Sequence, residues 1–363
     1  MQPLETVLAL YFADSGDDVW KLISKDLLSF SFSDSETNTA DSVSMTLKDE
    51  SGKWAAKWSP YPGEKVKASI KSMQGGKVKG VLHCGKFFID TMRVAGAPRT
   101  FEMSGVSVPL NKAIRKKVKT RILEKTTLKE IAQGIAKDAD VKLLFDSNTN
   151  PSYSKIEQNK ESDLKFLSRL CEEAGLSLKV TDERLVVFDQ NFYEGKDPIK
   201  TFSREGGSVL SYNFELNQSE IYKSVTVAYR NPKKKKKGKA GGYTKTSSSN
   251  KGKKKDKNPA VVYYTETDPS ADSNGQEYQK KTALEDLESA KRWAKAKLRQ
   301  LNRRGVTGNL SVIGDVDLVA GSVVRVRGFG NFDGNFIIET ADHSLDSSGY
   351  VTSVKLRRVR KEF

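Results

Sequence analysis

The first 108 residues constrain the fold more than any other part of the chain. VLALYF, LLSFSFSDS, DSVSMTLKD, EKVKASIKS, KGVLHCGKFFIDTMRV and RTFEMSGVSV are short runs rich in β-branched and aromatic residues. Clusters of Gly, Pro, Asp and Ser divide them, and six such runs at this spacing predict an antiparallel barrel or sandwich. The first run lies in MQPLETVLALYFADSG, which has no basic n-region and carries Glu5 early, so it reads as a strand rather than a secretory leader. No apolar run approaches the roughly 18 residues of a membrane span.

After residue 108 the period changes. In TTLKEIAQGIAKDADVKLLF, Thr127 with Glu130 three residues on forms a capping box, and Leu128, Ile131 and Ile135 share one face at helical spacing. ESDLKFLSRLCEEAG repeats the scheme, with Leu164, Leu167, Leu170, Cys171 and Ala174 on one stripe and Gly175 placed as a left-handed C-cap. LSLKV and RLVVFD follow as strands, so residues 109–206 predict an α+β region of two helix–strand units.

Residues 207–230 are strand-like again. The segment 231–258 then holds twelve lysines against one acid, Asp256, which is eleven of the chain's sixteen net positive charges. The remainder is a near-ordinary globular chain, and the charge bears on polyanion attraction rather than on fold. The tract lies between IYKSVTVAYR and AVVYYTET, so residues 231–259 predict a long hairpin loop within a region spanning 207–305. A second capping box, Thr282 with Glu285, opens a helix of about 22 residues, or ~33 Å, with Leu284, Leu287, Ala294, Leu298 and Leu301 as its core face and Gly305 as its stop. Residues 306–363 are strand and turn, placed to complete a second barrel. The expected class is α+β, mainly β, with two β-barrel domains joined by small α/β segments and one long helix.

Residues for chemistry are sparse. His83 and Cys84 are neighbours, so a strand points them to opposite faces and no nucleophile–base pair results. His343 lies in a strand near a turn and reads as structural. Cys84 and Cys171 are the two cysteines, far apart and without a CxxC pair, which points to a reducing site of folding; with two histidines besides, no Cys/His zinc site is expected. GFGNFDG (residues 328–334) leads into a strand where a dinucleotide fingerprint needs a helix. RGFG (Arg327 to Gly330) begins like an RNA-recognition strand, but Asn331 and Phe332 break the match. The lysine tract can neutralise phosphates, yet Tyr243 is its lone aromatic, and a lysine run is usually a solvated segment.

Three stretches in order carry a resemblance. They are IRKKVKTRILEKTTLKEIAQGIAKDADVKL, then ESDLKFLSRLCEEAGLSLKVTDERLVVFD, then VAGSVVRVRGFGNFDGNFIIETADHSLDSSGYVTSVKLRR. Together they resemble the late control protein D family of phage tails, the baseplate hub proteins of contractile tails and related injection systems. Asn335-Phe336 departs from the family's frequent Gly-Tyr. The resemblance implies two β-barrel domains per subunit and a homotrimeric ring of six similar barrels. Such a ring has the tail tube or its initiator above and the spike below, with tape measure and other baseplate proteins as further partners. It implies a structural protein without catalytic residues, cofactor or metal, in a virion or tail-like particle assembled in the bacterial cytoplasm. Some members carry a fused cell-wall hydrolase; the chain ends at Phe363 after its last strand, and none is expected here. Two alternatives stay open, a nucleic-acid-binding protein using the lysine segment and a cell-wall hydrolase with dispersed carboxylates. Within the hub reading, Lys233, Lys234, Lys235, Lys236, Lys237, Lys239, Lys253, Lys254 and Lys255 form a loop that meets an acidic partner surface.

Overall fold

The computed structural model describes residues 4–12, 19–37, 40–57, 59–107, 114, 117–181, 183–230, 261–272 and 274–360. The chain divides into two compact units, one of residues 1–217 with 303–362 and one of residues 218–302.

The first unit opens with β1 (Leu4–Phe12), α1 (Val19–Ile23), β2 (Leu27–Ser35), β3 (Ser42–Lys48), β4 (Lys65–Gln74), β5 (Lys77–Ala95) and β6 (Thr100–Val106). Period-two alternation sets the faces. In SVSMTLK, Val43, Met45 and Leu47 point inward while Ser44 and Lys48 stay exposed. With Phe30, Phe32, Ile70, Phe87 and Phe101 they form one core, and each such side chain contributes about 1.5–3 kcal/mol on burial.

A mixed region follows, with β7 (Val118–Thr127), α2 (Leu128–Asp138), β8 (Lys142–Asp146), β9 (Ser152–Ser162), α3 (Asp163–Ala174), β10 (Ser177–Val180), β11 (Arg184–Phe188) and α4 (Gln190–Glu194). The first capping box forms as expected. Thr127 Oγ1 accepts the Glu130 N–H at 3.3 Å, and the Glu130 carboxylate accepts the Thr127 N–H at 2.8 Å, which holds that carboxyl below its usual range. Gly175 caps α3 at φ 76°. In α3 the stripe is shifted slightly: Phe166 is fully buried and Leu164 only partly so.

After β12 (Lys200–Ser203) and β13 (Val209–Leu216), the chain builds its second unit from β14 (Tyr222–Arg230), β15 (Val261–Thr267), β16 (Gln276–Leu284) and α5 (Leu287–Asn302). β14 is central, antiparallel to β15 and parallel to β16. One sheet face takes α5 through Val225, Val227, Ala290, Trp293, Ala294 and Leu298. Buried Asn302 donates to the Tyr222 carbonyl and to Asp268, and accepts the Tyr222 N–H, each at 2.8 Å. The expected long helix is shorter, 16 residues from Leu287. Pairing with β14 holds residues 276–284 as a strand, and Asp286 supplies the cap by accepting the Ser289 N–H at 2.8 Å. It is one of five α-helices among the described residues.

The first unit is completed by β17 (Val306–Ile313), β18 (Val323–Arg327), β19 (Gly334–Asp346) and β20 (Gly349–Arg358). Twelve of its strands make one sheet, with the path β1-β4-β5-β6-β3-β2-β19-β20-β17-β13 and β18 and β12 branching from β19. Two separate closed barrels were the expectation. Among the described residues neither set closes, because β2 pairs with β19 instead of returning to β1.

The sheet is an internal duplication. Its first half has the neighbour order β1-β4-β5-β6-β3-β2 and its second half β12-β18-β19-β20-β17-β13; taken in chain order, each strand of one half matches its counterpart in the other. The irregularities match as well. The register shifts between Ile89 and Thr91 in β5 and between Ile338 and Thr340 in β19, and between Leu27 and Ser29 in β2 and Val209 and Ser211 in β13. Gly63 (φ 89°) donates to the Ile89 carbonyl at 2.8 Å, as Gly321 (φ 84°) does to Ile338 at 2.8 Å. One difference is that β1 runs antiparallel to β4 whereas β12 runs parallel to β18. A bulge re-aims a strand at one defined residue, so matching bulges place equivalent residues at equivalent positions.

Candidate functional site

The junction of the two halves is the best-built polar and aromatic site in the first unit. β2 and β19 pair antiparallel from Thr340↔Ser35 to Asp346↔Ser29, and the Glu36 N–H extends the ladder to the Glu339 carbonyl at 2.9 Å. LLSFSFSDS suits this place. Phe30 and Phe32 enter the core, and Ser33 donates to Asp342 across the junction at 2.6 Å.

His343 stands opposite Phe32 and is fully buried. Its ring lies 5.9 Å from Phe32 and 6.0 Å from Tyr350. Nε2 is 2.9 Å from the Leu318 carbonyl, which only accepts, so Nε2 carries the proton and Nδ1 accepts the Tyr350 hydroxyl at 2.7 Å. Burial pushes the imidazole below its ordinary pKa and the Tyr350 phenol well above its own. The ring is thus a neutral strut between strands.

Two buried ion clusters fix the mixed region to this junction. Lys179 of β10 reaches Asp34 at 2.6 Å and Asp41 at 3.5 Å, while Asp34 also accepts the Ala320 N–H at 2.9 Å. Burial raises Asp41 to about 6, opposed by the Lys179 charge. The second cluster surrounds Arg357, 2% exposed. Its guanidinium meets Glu194 of α4 at 2.5 Å, Glu36 at 3.3 Å and Glu339 at 3.4 Å. Burial raises Glu36 despite Arg357. The cation thus draws together carboxylates from three separate stretches of chain.

The histidines and cysteines weighed in the sequence are dispersed. His83 is exposed and Cys84 buried on the opposite face, and burial pushes the Cys84 and Cys171 thiols up to about 12. Among the described residues no group of three or more His, Cys, Asp or Glu is placed to hold a metal, and no helix is long and apolar enough to cross a membrane. Lys233, Lys234, Lys235, Lys236, Lys237, Lys239, Lys253, Lys254 and Lys255 lie outside the described residues. The strands bracketing them are paired up to Arg230↔Val261.

Sequence reasoning missed the junction, yet a signal was present. GKFFIDT (residues 85–91) and GNFIIET (residues 334–340) agree at four of seven positions, and LLSFSF (residues 27–32) matches VLSYNF (residues 209–214) in kind. These are the counterpart strands β5 and β19, and β2 and β13.

The chain is 24% identical over 362 residues to a probable baseplate hub protein of Escherichia phage 186, covering 94% of this chain and 90% of that protein. It is 25% identical to the probable baseplate hub protein of Escherichia phage P2, covering 93% and 90%. A tail protein of Neisseria meningitidis MC58, 14% identical, shares the fold with a TM-score of 0.67 over 97% of this chain and 96% of that one. The profile of the phage tail baseplate hub (GPD) family matches residues 106–349. With well over half of its length inside that match, the chain belongs to the phage tail baseplate hub (GPD) family.

Proposed function

We propose that this structural hub protein acts as a homotrimeric ring that joins the tail tube to the central spike of a contractile phage tail or tail-like particle. The observation that carries the reading is the duplicated six-strand unit. Three chains with two equivalent units each present six like faces to a six-fold tube, while the chain itself repeats three times for a three-fold spike. Rings of this kind grow from heterologous contacts that close. The two barrels implied by the family resemblance correspond, in this reading, to the two halves of the sheet. The work is assembly rather than catalysis, in the baseplate of the particle and after synthesis in the host cytoplasm. The lysine tract adds a salt-sensitive contact to an acidic partner surface; its support is that both ends of the tract leave a completed strand pair.

Co-expression with the spike protein, followed by light scattering on the purified complex, tests the ring. Three hub chains to three spike chains is the expected ratio, and any other ratio overturns it.

A further inference from the structure

Every unit in a ring of duplicated units needs two junctions, and among its described residues the chain contains one of them. In that one, strand two of the first half (β2) pairs with the later part of strand five of the second half (β19, residues 340–346). Exchanging the halves gives the missing junction, strand two of the second half (β13) on the later part of strand five of the first half (β5, residues 91–95). Both of these edges are open among the described residues. β13 pairs only with β17, and β5 loses its β4 partner after Lys65↔Phe88 while keeping β6 on its other side.

We infer that β13 of one copy docks antiparallel onto residues 91–95 of β5 in a second copy of this chain. The inference rests on the ring reading and adds where the ring closes. The matched bulges set its register. Transferring the pairing of β2 with β19 to the counterpart residues places Thr91 opposite Asn217, Arg93 opposite Glu215 and Val94 opposite Phe214.

Three features of the free edges suit that pairing. Arg93 and Glu215 occupy the positions of Asp342 and Ser33, which already bond across the in-chain junction, so a polar contact becomes an ion pair of opposite charges. Val94, 49% exposed, and Leu216, 50% exposed, take the places of His343 and Asp34, which the in-chain junction covers. And VLSYNFEL carries neither lysine nor proline, the usual protections of a strand that must stay unpaired, although Leu210 and Tyr212 are also half exposed.

The test is charge reversal with rescue, read in the full-length protein and its spike complex. Arg93→Glu sets two acids opposite each other, and association between copies should weaken at least about tenfold. Glu215→Arg in the same chain should restore it. Arg93 also pairs with Glu102 within one chain, 3.6 Å and exposed, and stands directly opposite it, so Arg93→Glu adds a like-charge pair to the fold. Arg93→Gln, which loses only a weak exposed pair, is the control that should melt like wild type and still weaken association. In parallel, Arg93→Cys with Glu215→Cys should give covalent multimers with a short bis-maleimide, since the native thiols are buried. If wild type assembles but reversal, rescue and cross-linking all fail, this junction is wrong and the ring reading stands. If wild type stays monomeric even with the spike, both are wrong.

Discussion

Replacing Arg357 with methionine removes one cation from among three carboxylates while keeping most of the side-chain stem. The guanidinium is 2% exposed, so water does not compensate. Breaking a buried pair from one side costs about 3–5 kcal/mol, because the remaining charge stays in low dielectric. The lower end applies here. Glu339 keeps Arg304 at 3.3 Å, and Glu36 keeps the Gln190 amide at 3.0 Å. A loss of about 3 kcal/mol at roughly 2–4 °C per kcal/mol lowers the Tm by ~6–12 °C. The pH dependence follows from sign. Burial already raises Glu36, and without Arg357 it rises further. The folded variant then binds more protons than its unfolded chain below the raised pKa, so it gains stability as pH falls. Thermal and urea melts of both proteins at ~pH 7.5 and ~pH 5 should show a gap that narrows on acidification. A gap below about 1 kcal/mol at neutral pH, or one that widens in acid, would refute the argument that an uncompensated buried charge is the cause.

Leu298→Ala should cost the second unit about 2–5 kcal/mol through a cavity between α5 and β14, seen as early loss of hydrogen-exchange protection in residues 222–230. His343 has a folded pKa below its unfolded value, so its contribution is complete above the unfolded pKa of about 6.5 and declines as pH falls, by at most ~1.4 kcal/mol per pH unit. Asp41, raised to about 6, acts with the opposite sign between its two pKa values, so the His343 share is read as the difference between wild type and His343→Gln over ~pH 5–7.5; parallel stability curves would contradict it. Replacing residues 231–260 with a Gly-Asn turn should not lower the melting temperature, since a shorter closure costs less entropy, but should weaken particle assembly at low salt.

Local signals were legible where one element supplied all the partners. Thr127 and Glu130 satisfy each other within one turn, and Gly175 needs only its own helix to terminate. Thr282 and Glu285 carry the same signature and start no helix, because pairing along β14 outweighs a cap worth about 1 kcal/mol. The sheet junction was hidden for a different reason. Its partners lie about 300 residues apart, as Ser33 and Asp342 do, and nothing in the alternation of LLSFSFSDS says which edge β2 will find. Comparing the chain with itself, GKFFIDT against GNFIIET, would have found the equivalence that helix and strand periods cannot.

The duplicated halves differ most at one connection. In the first, six residues link strands two and three, from the end of β2 at Ser35 to the start of β3 at Ser42; in the second, 89 residues do so, from the end of β13 at Leu216 to the start of β17 at Val306, and they include the whole second unit. Insertions are tolerated where the flanking strands are already held by neighbours, and β13 and β17 hold each other along their length. In the proposed ring, two identical halves would make adjacent positions around the circle indistinguishable. With one of the two equivalent connections long and the other short, alternate positions of that proposed ring would be chemically distinct, and a partner that reads the insertion would count half as many sites as a partner that reads the sheet.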